Sequence, residues 1–234
     1  KKDPTFANFA TNYTSRYVNE AGSSAGINYV EYDEGIYIGY RYYETRGFEE
    51  GGTWYDENVV YPFGYGLSYT TFEWDVKFRT KTLTEDGDVV VDVTVTNTGD
   101  VAGKDVVQLY YSAPYTEGEI EKSQVVLGGY EKTDLIQPGM SDTVTITMSV
   151  RTMASYDYND ANANGTEGYE LDDGEYTIYV GKNSHVWADE DAASKVYTLD
   201  DEVYYETDEV TGTKVENQFD YMSDYFDENA ESTF

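Results

Sequence analysis

The middle of the chain is written in twos. Val91, Val93 and Val95 alternate with Asp92, Thr94 and Thr96, and Val144, Ile146, Met148 and Val150 alternate with Thr143, Thr145, Thr147 and Ser149. Successive side chains of a strand point to opposite faces, so each run predicts a strand with one buried and one wet face. Apolar and β-branched content predicts further strands over 72–79, 104–112, 124–133, 175–181 and 195–199. Thr98-Gly99-Asp100, Gln137-Pro138-Gly139 and Leu171-Asp172-Asp173-Gly174 supply the chemistry of chain reversal between them. Seven or so short strands, broken by turns and interrupted by no amphipathic helix, predict an antiparallel β-sandwich of immunoglobulin-like type over residues 71–199.

Residues 1–70 follow another pattern. They hold one strand candidate, Gly35 to Tyr43, among polar segments rich in Asn, Thr, Gly and Glu, which is too little to close a core. The chain opens Lys1-Lys2-Asp3-Pro4 without a methionine, so this segment is expected to finish a domain whose larger part lies upstream. Between the two parts stands "YPFGYGLSYT", residues 61–70. Pro62 fixes φ, Gly64 and Gly66 open backbone conformations closed to other residues, and Phe63, Tyr65 and Tyr69 can act as wedges. A stiff corner joining two units is the expectation. Residues 200–234 carry twelve acidic side chains against a single base, Lys214, with aromatics interspersed, and read as a linker or docking strap.

Composition narrows the function classes. Forty-six acidic against fifteen basic residues give a formal net charge of −31, which repels phosphate backbones and anionic lipid headgroups, so neither nucleic acid nor membrane is an expected partner. No apolar run approaches the roughly 20 residues of a spanning helix. With no cysteine there is neither a disulfide framework nor a thiolate nucleophile. Twenty-six tyrosines offer large apolar faces with hydroxyls that can stay wet.

Two stretches carry a resemblance. "EGIYIGYRYYETRG" (34–47) followed by "YPFGYGLSYTTFEW" (61–74) resembles the end of the α/β sandwich domain of family 3 glycoside hydrolases. "VDVTVTNTGDVAGKDVVQLYYSAPYTEGEIEKSQVVLGGYEKT" (91–133), "PGMSDTVTITM" (138–148), "MASYD" (153–157) and "GEYTIYVGKNSH" (174–185) are similar to the fibronectin type III-like domain that follows it in many such enzymes. The resemblance implies three parts: 1–70 as the tail of the α/β sandwich domain, 71–199 as the fibronectin-like sandwich, and 200–234 as the acidic linker or strap.

It implies a portion of a retaining, exo-acting β-glycosidase, β-glucosidase-like, that removes terminal β-linked sugars from oligosaccharides. This portion would be the structural, bracing one. In that family a barrel-domain aspartate attacks the anomeric carbon and a glutamate on the α/β sandwich serves as acid and then base. Both would lie outside this sequence, so no catalytic, cofactor-binding or metal-ligating residue is assigned, and the chain alone is expected to be inactive. The implied partners are the remaining barrel and α/β domains and, through them, an oligosaccharide. An extracellular or cell-surface setting is favoured, and a homo-oligomer stays open. A non-catalytic β-sandwich module that offers its tyrosines to carbohydrate or protein is the competing reading.

Several residues invite a chemical reading of their own. The pairs Glu49-Glu50, Asp172-Asp173 and Asp200-Asp201 are what a chain with 46 carboxylates produces by adjacency, and strand neighbours face opposite ways. In the 157–172 loop, Asp160, Asn162, Asn164 and Gly165 match positions one, three, five and six of a calcium loop. Leu171, however, stands where the bidentate glutamate is required, and strands rather than helices are expected on either side. His185, the sole histidine, has no second histidine to form a metal cluster and only Ser184 beside it, which favours a structural role. Arg41, a cation among tyrosines, is expected to pair with a carboxylate or stack on a ring. Asn12-Tyr13-Thr14 and Asn164-Gly165-Thr166 fit the glycosylation pattern but carry no argument without a known compartment.

Overall fold

The computed structural model describes the backbone of residues 15–18 and 24–29 and all of 35–215. Most of the regular structure among the described residues is β-strand, and every strand pairing there is antiparallel. Ahead of the sandwich come a hairpin, β1 (Ser15–Val18) with β2 (Ser24–Tyr29), and two helices, α1 (Tyr40–Glu50) and α2 (Trp54–Asn58).

Seven strands then build two layers. One is a three-stranded sheet in the order β3 (Phe72–Phe78), β4 (Asp88–Asn97), β7 (Ser141–Ser149). The other has four strands in the order β11 (Ala193–Leu199), β10 (Gly174–Gly181), β5 (Val106–Ser112), β6 (Val126–Lys132). The alternation seen in the sequence is the register. Val89, Val91 and Val93 of β4 stand opposite Met148, Ile146 and Val144 of β7, and all six are buried. Leu109 of β5 and Ile178 and Val180 of β10 meet them from the facing layer. Burying such side chains contributes on the order of 1.5–3 kcal/mol each. On the wet face the Thr and Ser hydroxyls form a ladder, Thr94 to Thr143 at 2.9 Å and Thr96 to Ser141 at 2.8 Å.

At the end of β4 the Asn97 side chain has no solvent exposure and fills all its bonding capacity. Its Nδ2 donates to the carbonyls of Val101 (2.8 Å) and Ile136 (2.9 Å), and its Oδ1 accepts from Thr70 Oγ1 (2.7 Å) and the Gly99 amide (3.1 Å). One amide thus fixes the 98–100 turn, the approach to β3 and the loop before β7.

A third, smaller sheet runs in the order β12 (Val203–Tyr205), β9 (Gly168–Leu171), β8 (Ser155–Asp157). Part of the acidic segment expected as a linker or strap is therefore a paired strand. Tyr205 is 3% exposed and its ring belongs to the sandwich core.

The strand expected over Gly35 to Tyr43 is not formed. The backbone turns at Gly35 and again at Gly39, whose φ of 61° is left-handed, and α1 starts at the next residue. The tyrosine-rich run suggested β propensity, but Tyr40, Glu44 and Gly47 fall at the i, i+4 and i+7 spacing of one helix face. Glu44 and Gly47 are the buried members of α1. Because the inward face is polar, no hydrophobic helical period marks it in the sequence.

Candidate functional site

The carboxylate of Glu44 is fully buried and densely bonded. Its Oε1 accepts from Tyr55 Oη at 2.5 Å and from Ser184 Oγ at 2.6 Å. Its Oε2 lies 2.8 Å from both His185 Nδ1 and Trp187 Nε1. Two donors on each oxygen use the four acceptor positions of a carboxylate, which calls for the His185 tautomer that carries its proton on Nδ1. A buried anion is tolerable only when its bonding is satisfied in this way.

The donors come from separate parts of the chain. Glu44 is on α1 and Tyr55 on α2, while Ser184, His185 and Trp187 lie in the 3₁₀ turn Ser184–Trp187 that follows β10. The rings pack as well as bond: Tyr55 stacks on His185 with centroids 3.7 Å apart, and Trp187 meets His185 edge-on at 4.9 Å and Phe48 of α1 at 5.5 Å. Burial, and after it the hydrogen bond to Glu44, push the Tyr55 phenol well above its ordinary value. The cluster holds a serine, a histidine and a carboxylate, yet it is no nucleophilic triad. Ser184 is wholly buried and donates to the carboxylate instead of the imidazole, so no activated oxygen faces a substrate. What this geometry does is latch the helices to the end of the sandwich.

Neighbouring contacts repeat the theme. The Leu127 amide of β6 donates to Tyr40 Oη at 2.9 Å and the Gln124 amide to Thr45 Oγ1 at 2.9 Å. In the 61–70 corner, Phe63 stacks on Tyr40 at 4.6 Å, and its carbonyl accepts from the Ser184 amide at 2.8 Å. Gly64 has a φ of 85°, and a Cβ there would lie 2.1 Å from Gln108 Oε1. Gln108 is itself held, accepting from Tyr110 Oη at 2.6 Å and donating to the Lys182 carbonyl at 2.7 Å. Of the expected corner residues, Phe63 wedges as read and Tyr65 stacks on Tyr61 at 4.9 Å. Tyr69, by contrast, is 99% exposed, and Gly66 has open space around it and no left-handed φ.

The other side chains singled out in the sequence fall as follows. His185 is a member of the latch. Arg41, on α1 and not on a strand, lines a hollow of about 270 Å³ with Tyr111, Glu121 and Ser123; its charge tempers the rise that burial gives the Tyr111 phenol, to about 12. Asp172 is bonded by Lys122, whose Nζ also donates to the Pro114 carbonyl at 2.9 Å, so that pair is structural. Glu50 pairs with Arg46 on α1. In the 157–172 loop, Asn162 and Asn164 turn their amides toward Glu170, and Asp160 caps the Gly165 amide at 2.9 Å. No cluster of three or more metal-ligating His, Cys, Asp or Glu side chains occurs among the described residues. Glu44 itself went unread: a lone carboxylate inside a tyrosine run was its one visible signal.

Residues 105–184 match the family model of the fibronectin type III-like domain. The chain is 45% identical over 177 residues to β-glucosidase A of Butyrivibrio fibrisolvens, a match covering 70% of this chain and 20% of that protein. Among solved structures, a β-glucosidase from Paenibacillus barengoltzii superposes with a TM-score of 0.63 at 35% identity, over 86% of this chain and 19% of that one. The family 3 β-glucosidase of Bifidobacterium adolescentis does so with a TM-score of 0.60 at 30% identity, over 89% and 26%.

The chain is a family 3 β-glucosidase-like segment. It spans between 14% and 20% of the length of the first three curated relatives. Within the segment, the matched domain covers β10, the strand that leads into the latch turn, and ends at Ser184, the first residue of that turn.

Proposed function

We propose that this segment braces a retaining, exo-acting β-glucosidase-like hydrolase that removes terminal β-linked sugars, and that the reacting carboxyls lie in the parent enzyme's other domains. In this reading residues 1–70 finish the α/β sandwich domain, the fibronectin-like unit follows, and the parent's barrel and α/β domains are the partners. One observation carries it: the helices and corner ahead of the sandwich leave large apolar side chains open to solvent, with Val60 at 85%, Leu67 at 89% and Tyr69 at 99% exposure. Large apolar side chains left open along one stretch of chain mark an edge made to be covered. It is presented by the same helices and corner that the Glu44 latch fixes to the sandwich, so whatever covers the edge is held at one angle to the β-unit.

Two measurements test the reading. The purified 234-residue chain is expected to release no chromophore from an aryl β-glucoside, and turnover by it would overturn the assignment of catalysis to other domains. In the full-length parent, Phe63→Ala is expected to lower the melting temperature and kcat together, whereas unchanged values of both would argue against a bracing role. Retention of the isolated chain on a polysaccharide affinity gel would favour the competing reading of a carbohydrate-binding module.

A further inference from the structure

Outside the latch, one other buried carboxyl stands out. Glu170 is 1% exposed in the central strand of the small sheet. Asn162 Nδ2 donates to its Oε1 at 2.8 Å and Asn164 Nδ2 to its Oε2 at 2.7 Å. The same Asn164 amide also donates to the exposed Glu202, the residue immediately before β12. Two carboxyls distant in sequence therefore meet over one amide.

The remaining groups around the pair do little to neutralise it. Asp157 of β8 faces it as a further carboxyl, its own oxygens occupied by the Asn159 (3.0 Å) and Ala161 (2.7 Å) amides. From β12, Tyr204 Oη donates away to the Glu167 carbonyl at 2.6 Å. The nearby cation Arg151 sits 4.2 Å from the centre of the Tyr205 ring and bonds the Thr207 carbonyl, on the other side of that strand. Burial above all, with Glu202 and Asp157 adding to it, pushes the Glu170 carboxyl up to about 7. Two ionised carboxylates in such a site repel, whereas one proton between them makes a strong O–H···O bond.

We infer that the Glu170–Glu202 pair is a proton-operated fastening for β12 and the acidic chain that follows it, closed while the pair shares a proton and loosened when both carboxyls ionise. β12 is the element placed to respond, being three residues long, at the edge of its sheet and paired through its backbone only with β9, with Tyr205 as its one buried anchor in the core. The sign follows from linkage. Glu170 holds its proton more tightly when β12 is docked than an ordinary carboxyl does. Docking is therefore fully supported at acidic pH and weakens as pH rises through about 7. This inference is independent of the bracing role.

Hydrogen exchange of the amides over 203–215 in the whole 234-residue chain tests it, with rates corrected for the intrinsic pH dependence. Between about pH 5.5 and about pH 8.5 protection in the unaltered protein is expected to fall by at least about tenfold, the weight of one pKa unit. Glu202→Gln keeps a hydrogen-bond donor facing Glu170 at every pH and leaves only burial and Asp157 to raise it, so its protection is expected to fall several-fold less than that of the unaltered protein. Flat protection in the unaltered chain would overturn the inference, as would a fall in Glu202→Gln as large as in the unaltered protein. A Glu170 carboxyl titrating near 4.5 by carbon NMR would do so too. Protection at about pH 8.5 that depends on millimolar calcium would replace the proton with a cation and equally overturn it.

Discussion

At the scale of single residues, the structure concentrates its polar stakes in a few side chains. Glu44 gathers four donors from two elements, so its removal strands all of them in a water-poor place. Glu44→Ala is expected to cost about 3–5 kcal/mol, measured by denaturant unfolding. Glu44→Gln is expected to cost less, since it keeps one acceptor oxygen while setting its NH₂ against two donors. If Glu44→Ala were nearly neutral, the latch would not hold the helices. Gly64 is a different kind of constraint, joining a left-handed φ to a close approach by Gln108. Gln108 cannot swing aside freely, because it is bonded to Tyr110 and to the Lys182 carbonyl. Gly64→Ala is expected to cost about 1–3 kcal/mol, read from the same unfolding curves. Neither residue's role was legible beforehand in full. The glycine announced itself through the corner sequence, whereas Glu44 looked like any one of 46 acids.

At the scale of elements, what the sequence revealed depended on where each element keeps its apolar side chains. β4 and β7 alternate between buried Val, Ile or Met and half-buried or exposed residues that are mostly polar, and both were legible almost to the residue. Helix α1 was not, because it buries a carboxylate and a glycine and supports itself by side-chain bonds to Leu127 and Gln124 of the sandwich. Its aromatic residues then read as strand formers. The strands of the small sheet are three or four residues long and set among Asp, Asn and Gly, which is too short for any period to register. β12 supplies Tyr205, whose ring is buried in the core and whose Oη donates to the Glu85 carbonyl at 2.8 Å. We therefore propose that the sandwich unit extends past residue 199 to include this strand. A chain ending at residue 199 is expected to melt lower than one ending at residue 215, and Tyr205→Ala to be destabilised by about 3 kcal/mol or more in either thermal or denaturant unfolding. Equal melting temperatures for the two truncations would remove β12 from the folding unit.

At the scale of the whole molecule, 26 tyrosines and a charge of −31 shape how the fold responds to alkali. Burial raises the phenols of Tyr55, Tyr110 and Tyr176 far above the ordinary value, and those of Tyr111 and Tyr205 to about 12. Exposed phenols ionise near about 10, so a difference-absorbance titration of the folded chain is expected to separate into an early class and a late one. The sign of the effect on stability follows directly. A phenol whose folded value lies above its unfolded one supports the fold fully below about pH 10, and that support is lost as pH rises through the folded value. The late class should then ionise together with loss of near-ultraviolet circular dichroism, because an ionised Tyr111 or Tyr205 has no place in the core that encloses it. Each early phenolate also adds to an already negative surface, whose repulsion is screened by salt over about 10 Å at 0.1 M. Raising the salt should accordingly move the alkaline unfolding midpoint upward. A titration in which all the tyrosines ionise as one class near 10 while the circular dichroism stays native would mean that these rings are reachable by water, and the sandwich core described here would be wrong.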